Sequence, residues 1–121
     1  MMKHLSRKQV GTKGEQAAQR YLIEQGYRIL HTNWRVPTGE IDIVAQIAGV
    51  LVFVEVRTRR RNSAFGTAPE SVDVRKQIQI RRTAEKYLHF HHVADALVRF
   101  DVIAIEYDQS GMHIEHIEHA F

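Results

Sequence analysis

The chain has 121 residues, of which 44% are hydrophobic and 26% are charged. This length suits one domain with one core, and the composition is typical of a globular chain rather than a disordered or coiled-coil one. The absence of cysteine excludes disulfides and thiolate metal sites, and no apolar run approaches the roughly 18 residues of a membrane-spanning helix. We therefore expect a single cytoplasmic domain over residues 1–121, without a secretory signal and with residues 1–10 as a flexible basic arm.

Positive charge is concentrated in the first 100 residues. Seventeen Lys and Arg against fourteen Asp and Glu give a net charge of +3. Five of those acids, and no Lys or Arg, lie in residues 101–121, so residues 1–100 hold seventeen basic and nine acidic side chains, a net charge of +8. A basic body of this size favours an anionic partner, with nucleic acid before others.

Seven elements are predicted, in the order α-β-β-β-α-β-β. Helix formers followed by Gly26, and later a stripe of apolar residues with a period near 3.6, predict two helices. Runs rich in β-forming residues and bounded by turn residues predict five strands. In chain order the predicted elements are the helix Thr12–Gln25, the strands Tyr27–Trp34, Glu40–Ile47 and Val50–Arg59, the helix Asp73–Phe90, and the strands Leu97–Tyr107 and Met112–Glu118. Five strands need helices to bury their apolar faces, so the expected fold is α/β, with a mixed central sheet flanked by helices.

The hairpin of the second and third strands carries two acids that its loop brings together. A two-residue Ala48-Gly49 loop pairs positions whose numbers sum to 97, which places Asp42 opposite Glu55 and Glu40 opposite Arg57. Apolar residues on both faces of the third strand predict a central strand, so Glu55 is expected to be buried. Adjacent buried carboxylates repel. The repulsion between them could be offset by Arg57, by a bound divalent cation or by a raised pKa of one acid. The alternative is that these side chains form an ordinary ion-pair cluster on a solvated face of the sheet.

Four segments carry a family resemblance, and they occur in the order GEQAAQRYL, GEIDIVA, LVFVEVRTR and RFDVIAI. Together they resemble the YraN-type family of small bacterial proteins with a restriction-endonuclease-like fold. This resemblance implies kinship with archaeal Holliday-junction resolvases and the wider PD-(D/E)xK nucleases. It implies that Asp42 and Glu55 bind Mg²⁺ or Mn²⁺, with Glu15 of the first helix as an additional acid beside the metal. The implied activity is hydrolysis of phosphodiester bonds in branched or structured DNA.

Arg57 departs from the acid-x-Lys pattern of that family. A lysine at this position can orient or help deprotonate the attacking water, whereas arginine, with a pKa above about 12, cannot act as a base. Arginine can still stabilise the charge that develops on the phosphorus centre. Three functions stay open: a metal-dependent endonuclease with Asp42, Glu55 and Arg57 as catalytic residues, a non-catalytic nucleic-acid-binding adaptor, and a protein-interaction domain. Symmetric cleavage of a junction would require a homodimer.

Two groups of basic side chains are predicted to bind nucleic-acid phosphates, since arginine binds phosphate in bidentate fashion. The alternative for both is a solvated surface. The residues are Arg59, Arg60 and Arg61 after the acids on the third strand, and Arg75, Arg82 and Lys86 on one face of the second helix. The chain has no sequence-reading motif, so such binding is expected to recognise the backbone and its shape.

Histidines and aromatic residues offer weaker functional signals. On a strand, His113 and His119 lie on one side and His116 on the other, which disfavours a zinc site because its ligands must converge. His91, with its neighbours at the end of the second helix, is expected to cap that helix. Trp34 is expected to pack in the core rather than to stack on bases.

Overall fold

The structure, a computed structural model, describes residues 5–61 and 72–121. These residues form two helices and five strands in the predicted order. The elements are α1 (Arg7–Glu24), β1 (Arg28–Val36), β2 (Gly39–Ile47), β3 (Val50–Arg60), α2 (Val74–Phe90), β4 (Leu97–Asp108) and β5 (Gly111–Ile117). Within the described ranges, neither helix has the length and apolar character needed to cross a membrane.

The five strands form one sheet in which they lie side by side in chain order. Three neighbouring pairs are antiparallel, and only β3 and β4 run parallel within this sheet. A parallel pair needs a crossover connection, and α2 lies between β3 and β4 in the chain. The mixed sheet and the element order confirm the predicted α/β architecture and match the restriction-endonuclease-like fold.

The core has two layers, one on each face of the sheet. On one face, Leu22 of α1 packs in a cluster with Val54 of β3. On the other face, Tyr87 of α2 packs in a cluster with Phe53 of β3. Successive residues of a strand point to opposite faces, and the buried side chains of β3 alternate between the two clusters. The prediction that β3 is central and buried on both faces is therefore confirmed, and Glu55 follows directly after this buried segment.

Helix α1 begins at Arg7, so the predicted start at Thr12 was wrong. Ser6 and Gln9 form a capping box, in which the Ser6 Oγ accepts from the Gln9 N–H at 3.2 Å and the Gln9 Oε1 accepts from the Ser6 N–H at 2.8 Å. These bonds satisfy backbone donors at the helix terminus. Residues 7–10 are therefore helical, and Val10 is buried. Residues 1–4 of the predicted arm lie outside the described residues.

Glycine allows α1 to lie directly against the sheet. A Cβ atom added at Gly14 would lie 2.0 Å from the Oγ1 atom of Thr58 in β3, so any larger residue would force the two elements apart. On the other face, the Gln79 Nε2 of α2 donates to the Thr38 carbonyl in the β1–β2 turn at 3.1 Å. The two helices therefore contact the sheet on either side of the segment that carries Asp42 and Glu55.

Candidate functional site

The antiparallel pairing of β2 with β3 ends where the acids begin. It runs from Ile47 and Val50 to Ile43 and Val54, always with positions that sum to 97, which confirms the predicted register over this stretch. Within these fully described strands the ladder stops there, one position before Asp42 and Glu55. The Val56 N–H instead donates to the Asp42 Oδ2 at 2.8 Å. A carboxylate thus accepts a backbone hydrogen bond at the point where the ladder has ended.

Asp42 and Glu55 form a hydrogen-bonded pair of acids, in which Glu55 is buried and Asp42 is half-buried. The Glu55 side chain is only 7% exposed. Burial, followed by the negative charge of Asp42, raises the pKa of Glu55 to about 8. Burial also raises the pKa of Asp42, although the hydrogen bond from the Val56 N–H opposes this change. The pair therefore retains a proton near neutral pH, which avoids two adjacent negative charges in a poorly hydrated site.

Two cations approach the same oxygen of Glu55. The Arg57 Nη2 lies 3.1 Å from the Glu55 Oε2, and the Nζ of Lys76 lies 3.9 Å from it. Both positive charges lower the pKa of Glu55 and so partly offset the effect of its burial. The site therefore combines two acids from the sheet with one cation from β3 and one from α2.

Lys76 is the site residue that sequence reasoning missed. It lies in the first turn of α2, far along the chain from Glu55, and no local motif joins the two. The sequence contained two partial signals. Asp73 is a good N-cap residue and so indicates where α2 begins, and the alternation of β3 places Glu55 on the face that α2 covers. The structure shows the cap, in which the Asp73 Oδ1 accepts from the Lys76 N–H at 2.9 Å.

The predicted pairing of Glu40 with Arg57 was wrong. Glu40 lies opposite Arg35 of β1 in the β1–β2 ladder, and the two side chains form an ion pair. Because the β2–β3 ladder ends at Ile43 and Val54, nothing holds Glu40 against Arg57 across that pair of strands. Arg57 pairs with Glu55 of its own strand instead.

Glu15 of α1 lies within electrostatic reach of Asp42. Its pKa is raised first by burial and then by the negative charges of Asp42 and Glu40, while the side chain of Asn33 hydrogen-bonds it and opposes the change. The structure therefore brings Glu15 into electrostatic contact with Asp42. Within the part of the chain that the structure describes, no three or more His, Asp or Glu side chains are grouped closely enough to form a metal centre.

The arginine run leads away from the acids along β3. At about 3.3 Å per residue, the Cα of Arg59 lies about 13 Å from that of Glu55. The Arg59 Nε lies 3.9 Å from a Glu106 oxygen, and the Arg61 Nη1 lies 3.4 Å from the Asp108 Oδ2. Of the three predicted phosphate-binding arginines, two thus lie close to acids of β4, and Arg60 is exposed.

Helix α2 presents the predicted basic face to solvent, because Arg75, Arg82 and Lys86 are all exposed. Arg75 and Arg82 line a shallow groove of about 300 Å³ together with Ile78 and Gln79. This groove lies on the same helix as Lys76. Arg75 and Arg82 therefore share an accessible surface.

The histidines of the last strand have separate roles. The side chain of His116 is buried, with its Nε2 2.7 Å from the Asp101 Oδ2 and its Nδ1 3.1 Å from the Tyr21 hydroxyl. His113 is exposed and lies 3.2 Å from Asp108. His91 caps α2, with its Nδ1 3.0 Å from the Tyr87 carbonyl, as predicted.

Asp101 is the centre of a buried network that the sequence did not reveal. Its carboxylate accepts two hydrogen bonds from Arg99, each at 2.9 Å, and one from the His119 N–H at 3.2 Å. Hydrogen bonds from His116 and Arg99 hold the pKa of Asp101 below its ordinary value despite burial. These bonds tie the C-terminal segment to β4.

Comparison with known proteins identifies the family. Residues 14–105 match the model of "Uncharacterised protein family UPF0102". A "UPF0102 protein" of Alkaliphilus oremlandii is 45% identical over 116 residues, 94% of this chain and 98% of that protein. Another from Moorella thermoacetica is 48% identical over 105 residues, 87% of each chain.

A solved structure, that of Pyrococcus furiosus SfsA in complex with Ca²⁺, has 14% sequence identity and a TM-score of 0.36, over 88% of this chain and 63% of that one. A structural similarity this weak gives no indication of function. The sequence matches, by contrast, extend over most of the chain and confirm the resemblance to the YraN-type family. The chain therefore belongs to the uncharacterised protein family UPF0102.

Proposed function

We propose that this protein is a metal-dependent nuclease that hydrolyses phosphodiester bonds in branched or structured DNA. The observation that supports this proposal is the pair of adjacent acids, half-buried Asp42 and buried Glu55, at the end of the β2–β3 ladder. Burying two adjacent carboxylates costs stability. A site that keeps them together, and must hold a proton to do so, is suited to a cation that takes the place of that proton.

The donor set suits Mg²⁺ or Mn²⁺, which are hard cations that prefer oxygen ligands. Asp42 and Glu55 would hold the ion, and Glu15 would add negative charge near it from α1. When bound, such an ion supplies a water activated for attack and positive charge at the phosphate. No thiolate or convergent histidine set competes for this role among the described residues.

Arg57 supplies hydrogen-bond donors for a phosphate group. Its Nη2 is paired with Glu55, but its Nε is buried without a hydrogen-bond partner among residues 5–61 and 72–121. An unpaired buried donor is costly, so it favours a ligand oxygen that completes it. The planar guanidinium fits two oxygens of a phosphate and stabilises charge that builds there during attack by water.

Nucleic acid is the substrate class that the charge distribution favours. Residues 1–100 carry +8, and α2 exposes Arg75, Arg82 and Lys86 to solvent. Such side chains contact phosphates irrespective of sequence. We therefore expect recognition of backbone and shape. Branched DNA is the substrate that the family resemblance implies, with a dimer where two strands are cut symmetrically.

The test is a cleavage screen in Mn²⁺ with single-stranded, duplex, flap and four-way junction DNA. Wild type should cut at least one structured substrate, and Asp42→Asn should abolish the cut while leaving DNA binding in place. The Asp42→Asn preparation also controls for contaminating nuclease. Cleavage that is undiminished in this variant would assign the activity elsewhere, and no cleavage of any substrate would refute the proposal.

Arg57 favours a second candidate function, that of a non-catalytic nucleic-acid-binding adaptor. Arginine cannot serve as the base that a lysine at this position can provide. An adaptor would bind structured DNA with a strong salt dependence and cut none of it. Absence of both binding and cleavage would point instead to a protein-interaction domain.

A further inference from the structure

Lys76 occupies a position that helix energetics disfavour. It follows Val74 and Arg75 at the start of α2, and the first turn of this fully described helix contains no acid. The N-terminal end of a helix carries partial positive charge, which favours acidic side chains there and disfavours cations. The cation is nevertheless placed 3.9 Å from the Glu55 Oε2. Its position therefore serves the acid pair rather than the helix.

The backbone of Lys76 is fixed, while its ammonium group lies at the solvent boundary. Asp73 accepts the Lys76 N–H at 2.9 Å and so anchors this turn of the helix. The Lys76 side chain is 34% exposed, whereas that of Glu55 is 7% exposed. An ammonium group has three donors on a compact charge. It can contact Glu55 with one donor and a bound phosphate or water with another.

Lys76 and Arg57 reach the same oxygen from different layers of the fold. Arg57 extends from β3, within the sheet, and Lys76 descends from α2, above it. A ligand that enters over the sheet face would therefore meet Lys76 on one side and Arg57 on the other. This arrangement supplies a lysine beside the second acid although position 57 is an arginine.

We propose that Lys76 is the lysine of this active site, a catalytic residue that delivers its positive charge from helix α2 to the scissile phosphate and the attacking water. This proposal rests on the proposed nuclease function and extends it. In the step concerned, a water oxygen forms a bond to phosphorus and releases a proton to solvent, the bond from phosphorus to the leaving oxygen breaks, and that oxygen takes up a proton from solvent. The ammonium group of Lys76 stabilises the added negative charge.

Cleavage kinetics of point variants test the role. In Mn²⁺, Lys76→Ala should lower kcat at least 100-fold with little change in KM, because the charge acts on the transition state rather than on binding. Lys76→Arg keeps the charge and should retain part of the activity. Lys13→Ala, which removes an exposed lysine of α1, is the matched control and should cut like wild type.

A relocated lysine gives the sharper test. Adding Arg57→Lys to Lys76→Ala places a lysine on β3 and should raise cleavage above that of Lys76→Ala alone. A purely structural role for Lys76 predicts no such rescue, and matching melting temperatures would show that the variants fold. If the second substitution restores nothing, Lys76 is not replaceable from position 57 and the proposal fails.

A measurement without substrate separates this proposal from the nuclease function itself. Removing a cation close to Glu55 should make Mn²⁺ bind several-fold more tightly to Lys76→Ala than to wild type in titration calorimetry, and Lys13→Ala should be unchanged. Unaltered Mn²⁺ affinity would mean that Lys76 does not act on the site. If wild type and Lys76→Ala cut DNA equally well, the proposed role of Lys76 fails and the nuclease function stands. Wild type that cuts nothing would overturn the nuclease function and this role with it.

Discussion

Replacing Glu55 with Gln should stabilise the cation-free protein at alkaline pH. The pKa of Glu55 is about 8 in the folded chain, against an ordinary value of 4.5. Between these values the folded state keeps a proton that the unfolded state has released, so the free energy of unfolding falls as pH rises. Each pKa unit corresponds to about 1.36 kcal/mol. The fall from about pH 5 to about pH 9 is therefore on the order of 4 kcal/mol.

Glutamine resembles the protonated acid in shape and is uncharged at every pH. Glu55→Gln should therefore match wild type near pH 5, where Glu55 is protonated, and exceed its stability near pH 9 by much of those 4 kcal/mol. Among the described residues, Asp101 and Asp108 have lowered pKa values and lose their contribution only as pH falls below their ordinary values, outside this range. The pKa values of Asp42 and Glu15 are raised as well, so the test is the difference between the two proteins at each pH.

Urea unfolding in EDTA, followed through the fluorescence of the single tryptophan, Trp34, measures this difference at intervals of pH. Glu24→Gln, a substitution at an exposed acid of α1, controls for the loss of a carboxylate in general and should retain the slope of wild type. A wild-type stability that does not fall with pH would refute the reasoning. So would a Glu55→Gln protein whose stability falls as steeply as that of wild type.

Four further predictions concern the metal, the DNA and Arg57. Mn²⁺ should raise the melting temperature of wild type but not of Asp42→Asn, since only binding to the folded state stabilises it; equal increases would exclude Asp42 as a ligand. Glu15→Gln should weaken Mn²⁺ binding in calorimetry, and an unchanged affinity would leave Glu15 with a structural role. Replacing Arg59, Arg60 and Arg61 with alanine should reduce the slope of log affinity for DNA against log salt concentration by about 0.9 for each phosphate that these arginines neutralise. An unchanged slope would mean that these arginines do not contact phosphates. Arg57→Lys in otherwise wild-type protein should lower cleavage by losing the bidentate geometry; higher cleavage would instead indicate a degenerate site.

Features that depend on local sequence were predictable. The Ala48-Gly49 loop fixes the hairpin register, and the structure reproduces it down to Ile43 and Val54. The alternation of β3 likewise showed that this strand is buried on both faces. The true start of α1 was available too, because Ser6 and Gln9 have the spacing of a capping box, but the apolar pattern that begins later obscured it.

Features that depend on packing between distant segments were not predictable. Lys76 meets Glu55 only because α2 packs over the face of the sheet to which Glu55 points, and no spacing along the chain encodes that contact. The ion pairs of Arg59 and Arg61 arise because β4 lies parallel to β3, which brings Glu106 beside Arg59. Reading the arginine run in isolation left out these acidic neighbours.

The hydrogen bond from the Val56 N–H to the Asp42 Oδ2 gives the site a built-in spectroscopic reporter. A backbone amide whose acceptor is a carboxylate responds to every change in the charge of that carboxylate, because charge-assisted hydrogen bonds are shorter and stronger than neutral ones. Most amides of a central strand have carbonyl acceptors, whose charge never changes. The NMR cross-peak of Val56 should therefore follow the occupancy of the acid pair, by a proton or by a cation, in the native protein. One backbone resonance is then enough to follow titration and ligand binding without altering any residue of the site.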